Sequence, residues 1–344
     1  MKVFIFASAL SLVGSCATKR YSEKIQDIKD NIVFENSQQI KEISKTIDSN
    51  ELKKLVYDLS SVEFQGRKTG ELGYHKASNY IKDYYINEAI SSPLGENNYY
   101  QQIPESFFSD DIKSSQNVIS YIKGTEYPDE VIIITAHLDH EGIKEDQIYY
   151  GADDNASGTA ALMEIAQAFK IAQKKGFGPK RSIAFLHLTG EEIGLKGSTY
   201  YTDHPVFSLK NTVANLNMDM IGRVDEKHIE NPEYIYVIGD DRLSTELHYI
   251  SEIANDTFTN LELDYELNKE SDINRYYYRS DHYNFALKGI PVIFYFNGEH
   301  EDYHKPTDTP DKINYPLLQK RTQLIFTTAW YLANSKNRIV ADKK

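Results

Sequence analysis

Cysteine is almost missing: Cys16 is the single thiol, so no intramolecular disulfide can form. Positive charge is short as well. Lysine and arginine number 38 against 51 acidic residues, a net charge of -13, and no basic block stands out, which argues against a nucleic-acid partner. Beyond Cys16 no run is long and apolar enough to span a bilayer. Tryptophan occurs once, at Trp330, and no internal repeat or low-complexity tract breaks the chain. What remains is a chain of 344 residues, 40% hydrophobic and 26% charged, with 26 tyrosines. That suffices for one large α/β domain with a sizeable core.

The N-terminus reads as a leader. Lys2, an apolar run and then Val13-Gly14-Ser15-Cys16 form a short signal peptide over 1–15 whose end resembles a bacterial lipobox, with Cys16 exposed for lipid attachment. Residues 16–58 are polar and lysine-rich, with isoleucines at loose helical spacing; they read as a tether and one or two helices packed on the main domain. The main domain covers 59–335, followed by a tail over 336–344.

Within 59–335, apolar stretches at 117–124, 131–135, 182–188, 213–222, 234–239 and 291–296 read as strands. They alternate with helical spacing over 74–85, 156–172, 243–254, 281–287 and 315–334. The expected fold is a single three-layer α/β domain, a mostly parallel mixed sheet with helices on both faces. Strand 117–122 leads into strand 131–135 within a few residues, leaving no room there for an inserted domain.

Histidines and acids fall just after these strands: His137 and Asp139, Asp153 and Asp154, Glu191 and Glu192, Asp219, and His304. Ligands of open α/β sheets bind at the carboxyl ends of strands, so residues distant in sequence can converge there. Two histidines with several carboxylates suit zinc or another borderline divalent ion. In extended backbone His137 and Asp139 share one side, so the Asp139 carboxylate is expected to accept the His137 ring N–H. The prolines Pro306 and Pro310 hold His304 on a rigid loop. His140, His187, His282 and His300 read as structural or supporting residues.

The order His-Leu-Asp, Gly-Ala-Asp-Asp-Asn-Ala-Ser-Gly, Gly-Glu-Glu-Ile-Gly, Asn-Met-Asp-Met-Ile-Gly and Tyr-His-Lys-Pro-Thr-Asp-Thr resembles the bacterial leucyl aminopeptidase family of co-catalytic di-zinc exopeptidases. Gly66-Arg67 and Ser280-Asp281-His282 extend the resemblance, which runs from about Leu59 to Tyr331. It implies two Zn²⁺ ions and a peptide substrate. It implies that Asp153 bridges the ions, that His137 and Asp219 complete one position, and that Glu192 and His304 complete the other. Asp154 would shape the backbone beside Asp153. Glu191 would be the general base and Tyr303 an oxyanion donor. His140 departs from the family pattern and is expected at the substrate rim. The expected activity is removal of N-terminal residues. Rivals on the same fold are a carboxypeptidase, with Arg275, Arg279 or Lys305 holding a C-terminal carboxylate, and a glutaminyl cyclase, which needs an indole near the site. A non-catalytic binding protein would be expected to have lost ligands that are all present here.

Overall fold

A computed structural model describes residues 21–109 and 111–343, so the leader and Cys16 lie outside the described residues. The first helices are α1 (Tyr21–Asn31), α2 (Ser37–Ser44) and α3 (Ser49–Leu59). The Asp48 carboxylate starts α3 by accepting the N–H groups of Asn50 and Glu51. Ile40, Ile43, Ile47 and Leu52 from this region are buried in the main core. The segment read as a tether with one or two helices is therefore three helices that share that core.

After α3 come α4 (Leu72–Asn87), β1 (Tyr100–Ile103), β2 (Ser115–Ile122) and β3 (Tyr127–His137). The stretch between β3 and the next helix, which carries no strand signal in the sequence, forms a hairpin, β4 (Gly142–Lys144) and β5 (Gln147–Tyr149). Its turn residues Glu145 and Asp146 both have positive φ, the signature of a tight hairpin turn, though neither residue type announces one. Then follow α5 (Gly158–Lys174), β6 (Arg181–Leu188), α6 (Lys196–Asp203), β7 (Thr212–Met218), β8 (Tyr234–Ile238) and α7 (Thr245–Phe258). The chain ends with β9 (Glu262–Asp264), α8 (His282–Leu287), β10 (Val292–Phe296) and α9 (Tyr315–Asn334).

Eight strands make one sheet in the order β1-β2-β6-β3-β7-β10-β8-β9. The central neighbours β6–β3, β3–β7 and β7–β10 are parallel, as is β8–β9, while the β1–β2, β2–β6 and β10–β8 pairs are antiparallel. The sheet is mixed, with its parallel part in the middle. Alternate residues of β3 serve opposite faces. Ile132, Ile134 and Ala136 join the core beneath α3, α5 and α9, and Val131 and Ile133 join a second cluster with Tyr201 of α6 and Phe285 of α8. The three-layer arrangement follows from that alternation.

Candidate metal centre

The parallel strands β6, β3, β7 and β10 end along one edge, and the candidate residues sit there. His137 closes β3, Glu191 and Glu192 lie in the turn after β6, Asp219 follows β7, and Tyr303 and His304 lie beyond β10. A tight turn ahead of α5 delivers Asp154 from above.

Asp154 faces two sets of donors. Its Oδ1 lies 3.3 Å from His137 Nε2, which is in turn 3.1 Å from Asp219 Oδ1. Its Oδ2 lies 3.0 Å from His304 Nε2, which is 3.1 Å from Glu192 Oε2. Donors around a tetrahedral zinc, each about 2.0–2.1 Å from the ion, stand about 3.3 Å from one another. Both sets match that spacing, so the residues present fit a pair of zinc ions sharing one carboxylate.

The carboxylate that faces both donor sets is Asp154, not Asp153 as expected. Asp153 Oδ1 accepts the Gly222 N–H at 2.7 Å, and its Oδ2 pairs with His300 Nε2 at 3.1 Å. The main chain turns between the two acids because the buried Asp308 carboxylate accepts the N–H of both Asp153 and Asp154. Asp153 thus anchors the turn from behind, and Asp154 faces the crevice. The roles expected of the two neighbours are exchanged.

Asp139 also differs from expectation. His137 Nδ1 lies 3.1 Å from the Asp139 backbone carbonyl, and the nearer carboxylate oxygen is 3.9 Å away. A carbonyl only accepts, so Nδ1 carries the proton and Nε2 keeps a lone pair for metal. The carboxylate of Asp139 instead accepts the N–H groups of Glu191 and Glu192 at 3.2 and 3.4 Å, and the Thr69 hydroxyl at 2.8 Å. Its work is to position the Glu-Glu turn.

Other supports carried weaker sequence signals. Ser280, within the Ser-Asp-His motif, donates to Asp219 Oδ2 at 2.7 Å. Arg67, buried throughout, donates to the carbonyls of Leu59, Leu138, Tyr150 and Gly151 and so ties the β3 end to the Asp154 turn. His140 is buried as well, with Nδ1 2.9 Å from Glu192 Oε1, so it belongs to the donor cluster and not to the substrate rim. A histidine three residues after a ligand histidine was the only hint in the sequence.

The electrostatics suit a cation. Burial disfavours charge on Asp154, but His140, His137 and His304 outweigh it and hold the carboxyl well below its ordinary pKa. Burial likewise opposes charge on His304, while hydrogen bonds to Asp154 and Glu192 push its pKa up to about 10. Glu191 goes the other way: burial first, then Glu192, Asp219 and Asp281 beside it, outweigh the opposing pull of His137 and lift its pKa well above the carboxylate range. It lines a pocket with Asp154, Asp219, Met220, Tyr276, Arg279, Phe294, Phe296, Glu299, Tyr303 and His304. Tyr303 packs its ring on His304 at 3.9 Å.

A family model described as Peptidase family M28 matches residues 117–329. The chain belongs to that family. The matched span holds His137, His140, Asp154, Glu192, Asp219 and His304. Among relatives, the aminopeptidase YwaD of Bacillus subtilis is 30% identical over 236 residues, 66% of this chain and 46% of that protein. A probable glutamate carboxypeptidase of Arabidopsis thaliana is 40% identical over 109 residues, 31% of this chain and 15% of that protein. The chain thus spans less than half the length of these curated relatives. The solved structure of BSAP, a zinc aminopeptidase from Bacillus subtilis, has a similar fold, with a TM-score of 0.64 at 18% identity over 87% of this chain and 99% of that one.

Proposed function

We propose that this M28 chain is a di-zinc metallo-aminopeptidase that removes N-terminal residues from peptides. The carrying observation is that Asp154 joins two donor sets through its two oxygens, with Glu191 beside them on the pocket wall. Bound zinc would lower the pKa of water toward about 7 and polarise the scissile carbonyl. His137 and Asp219 would hold one ion, Glu192 and His304 the other, and Asp154 both. Glu191 takes the proton of the attacking water and passes it to the leaving amine. Tyr303, kept protonated by burial and by Asp154 and Glu192 nearby, offers its hydroxyl to the developing oxyanion.

The pocket offers no free cation to a C-terminal carboxylate: the guanidinium in its lining, Arg279, is already paired with Glu299 at 2.9 Å. Arg275 lies in a different pocket against Tyr278, and Lys305 bonds the Glu301 carbonyl, so neither supports a carboxypeptidase. Trp330 is stacked on Phe169 in the core beneath α9, which counts against the cyclase reading. A panel of N-free and N-blocked peptides with zinc-loaded protein tests the proposal. Cleavage of N-free peptides alone is expected; cleavage of N-blocked, C-free peptides, or no cleavage at full zinc loading, would overturn it.

The proposal extends to location: export, and lipid attachment at Cys16. Labelled fatty acid should enter the wild type and not Cys16→Ser; an unlabelled wild type in its native host would contradict it.

A further inference from the structure

His140 has no part in the chemistry described so far, yet its environment is that of a ligand. The residue is 1% exposed. Nδ1 lies 2.9 Å from Glu192 Oε1 and 3.6 Å from Asp154 Oδ2. These are the two carboxylates that His304 Nε2 also approaches, at 3.1 and 3.0 Å. The donor atoms of His140, Asp154 and Glu192 all fall within 4.8 Å of one another. The rings of His140 and His304 are 5.8 Å apart and inclined at 72°, so they converge on the carboxylate pair without stacking on each other.

The main chain makes space for this arrangement. Gly151 has φ +54, and a Cβ there would stand 2.5 Å from His140 Cγ and 2.6 Å from Cδ2. That Cβ would also stand 2.2 Å from the Asp154 carbonyl oxygen, so only glycine fits between the turn and the ring. The other ring nitrogen, Nε2, is buried without a hydrogen-bond partner among the described residues. Outside the carboxylate pair, this imidazole makes no hydrogen bond among the described residues that would explain its burial.

We infer that His140 is a further protein ligand of the ion held by Glu192 and His304. The inference rests on the two-metal reading above and deepens it. That position then has two imidazoles and two carboxylates, whereas the other has His137, Asp219 and the shared Asp154. Imidazole nitrogens favour zinc, and a position with four protein donors is closed where one with three keeps a place open. The two positions are therefore unequal. The His140 position fills first and keeps its ion, and the His137 position binds more weakly and has room for substrate.

Stepwise zinc affinities, measured by competition with a chromophoric chelator, test this in wild type, His140→Asn and His140→Ala. Wild type should take up two ions with separated affinities. Both variants should lose more than about 100-fold in the tighter step, beyond the 10–100-fold typical of a residue acting through a ligand. Asparagine keeps an N–H near the place of Nδ1 and so preserves a hydrogen bond to Glu192. Wild-type affinity in His140→Asn would overturn the inference and leave His140 as a donor that orients Glu192. X-ray absorption on wild type loaded with one zinc needs no variant to fold: two imidazoles on that ion are expected, and one would overturn the assignment. A wild type that binds no zinc would overturn the two-metal reading and this inference together, whereas two ions with unchanged His140 variants would overturn only the latter.

Discussion

Strand β3 serves two regions that treat burial in opposite ways. Along Ile132, Ile134 and Ala136 it feeds an apolar core closed by α5 and α9, where Phe169 meets Phe326 and Trp330 at ring distances of 4.8 and 5.7 Å. One residue further, His137 opens a crevice where Asp154, Glu191, Glu192 and Asp219 crowd around three imidazoles. Core burial stabilises without outside help. The crevice sets like charges side by side in a poorly solvated place, an arrangement that costs stability unless cations complete it. One region makes the fold and the other draws on it to hold chemistry, so changes in each should have separable consequences.

The largest expected effect is on turnover. Glu191→Gln should lower turnover by about 10²–10⁴ while both zinc ions stay bound, measured by kinetics alongside metal analysis. Full activity in that variant would remove the crevice's claim to a general base. In the core, Phe169→Ala should cost about 3–5 kcal/mol of unfolding free energy in denaturant titrations and leave zinc affinity unchanged. A loss of zinc affinity there would blur the two regions into one.

A smaller effect sharpens the contrast within the core itself. Burial lifts the pKa of Glu164 to about 7 from its ordinary 4.5, against the Asp48 N–H that it accepts. The folded state therefore disfavours the ionised form. The cost is full above the folded pKa, shrinks as pH falls through 7, and is gone below about 4.5. Glu164→Gln should accordingly be more stable than wild type by about 2–3 kcal/mol at pH 8, with the gap closing near pH 4.5. Urea unfolding at both pH values checks it; a gap that does not change with pH would show that the side chain's charge is not the cause.

How far the sequence could be read follows the same division. Helix α9 was legible from its apolar spacing, and Asn314 caps its start. The central strands were legible as β-branched runs, and the ordered motifs at their ends located the crevice. The short edge strand β9 escaped because three residues carry no periodicity. The β4–β5 hairpin escaped because Glu145 and Asp146 adopt positive φ without a glycine to signal it. Read from sequence, Asp153 is given the place that Asp154 takes, since the identical neighbours are distinguished only by Asp308, Gly222 and His300, which arrive from distant segments. The same holds for His140, whose place depends on Glu192 and on the space above Gly151.

The most direct test of the shared carboxylate compares zinc content after equilibrium dialysis in wild type, Asp154→Asn and Asp153→Asn. Two ions per chain are expected in wild type, loss from both positions in Asp154→Asn, and two ions on a less stable protein in Asp153→Asn. Two tightly held ions in Asp154→Asn, together with loss of zinc in Asp153→Asn, would return the bridge to Asp153 and contradict the account.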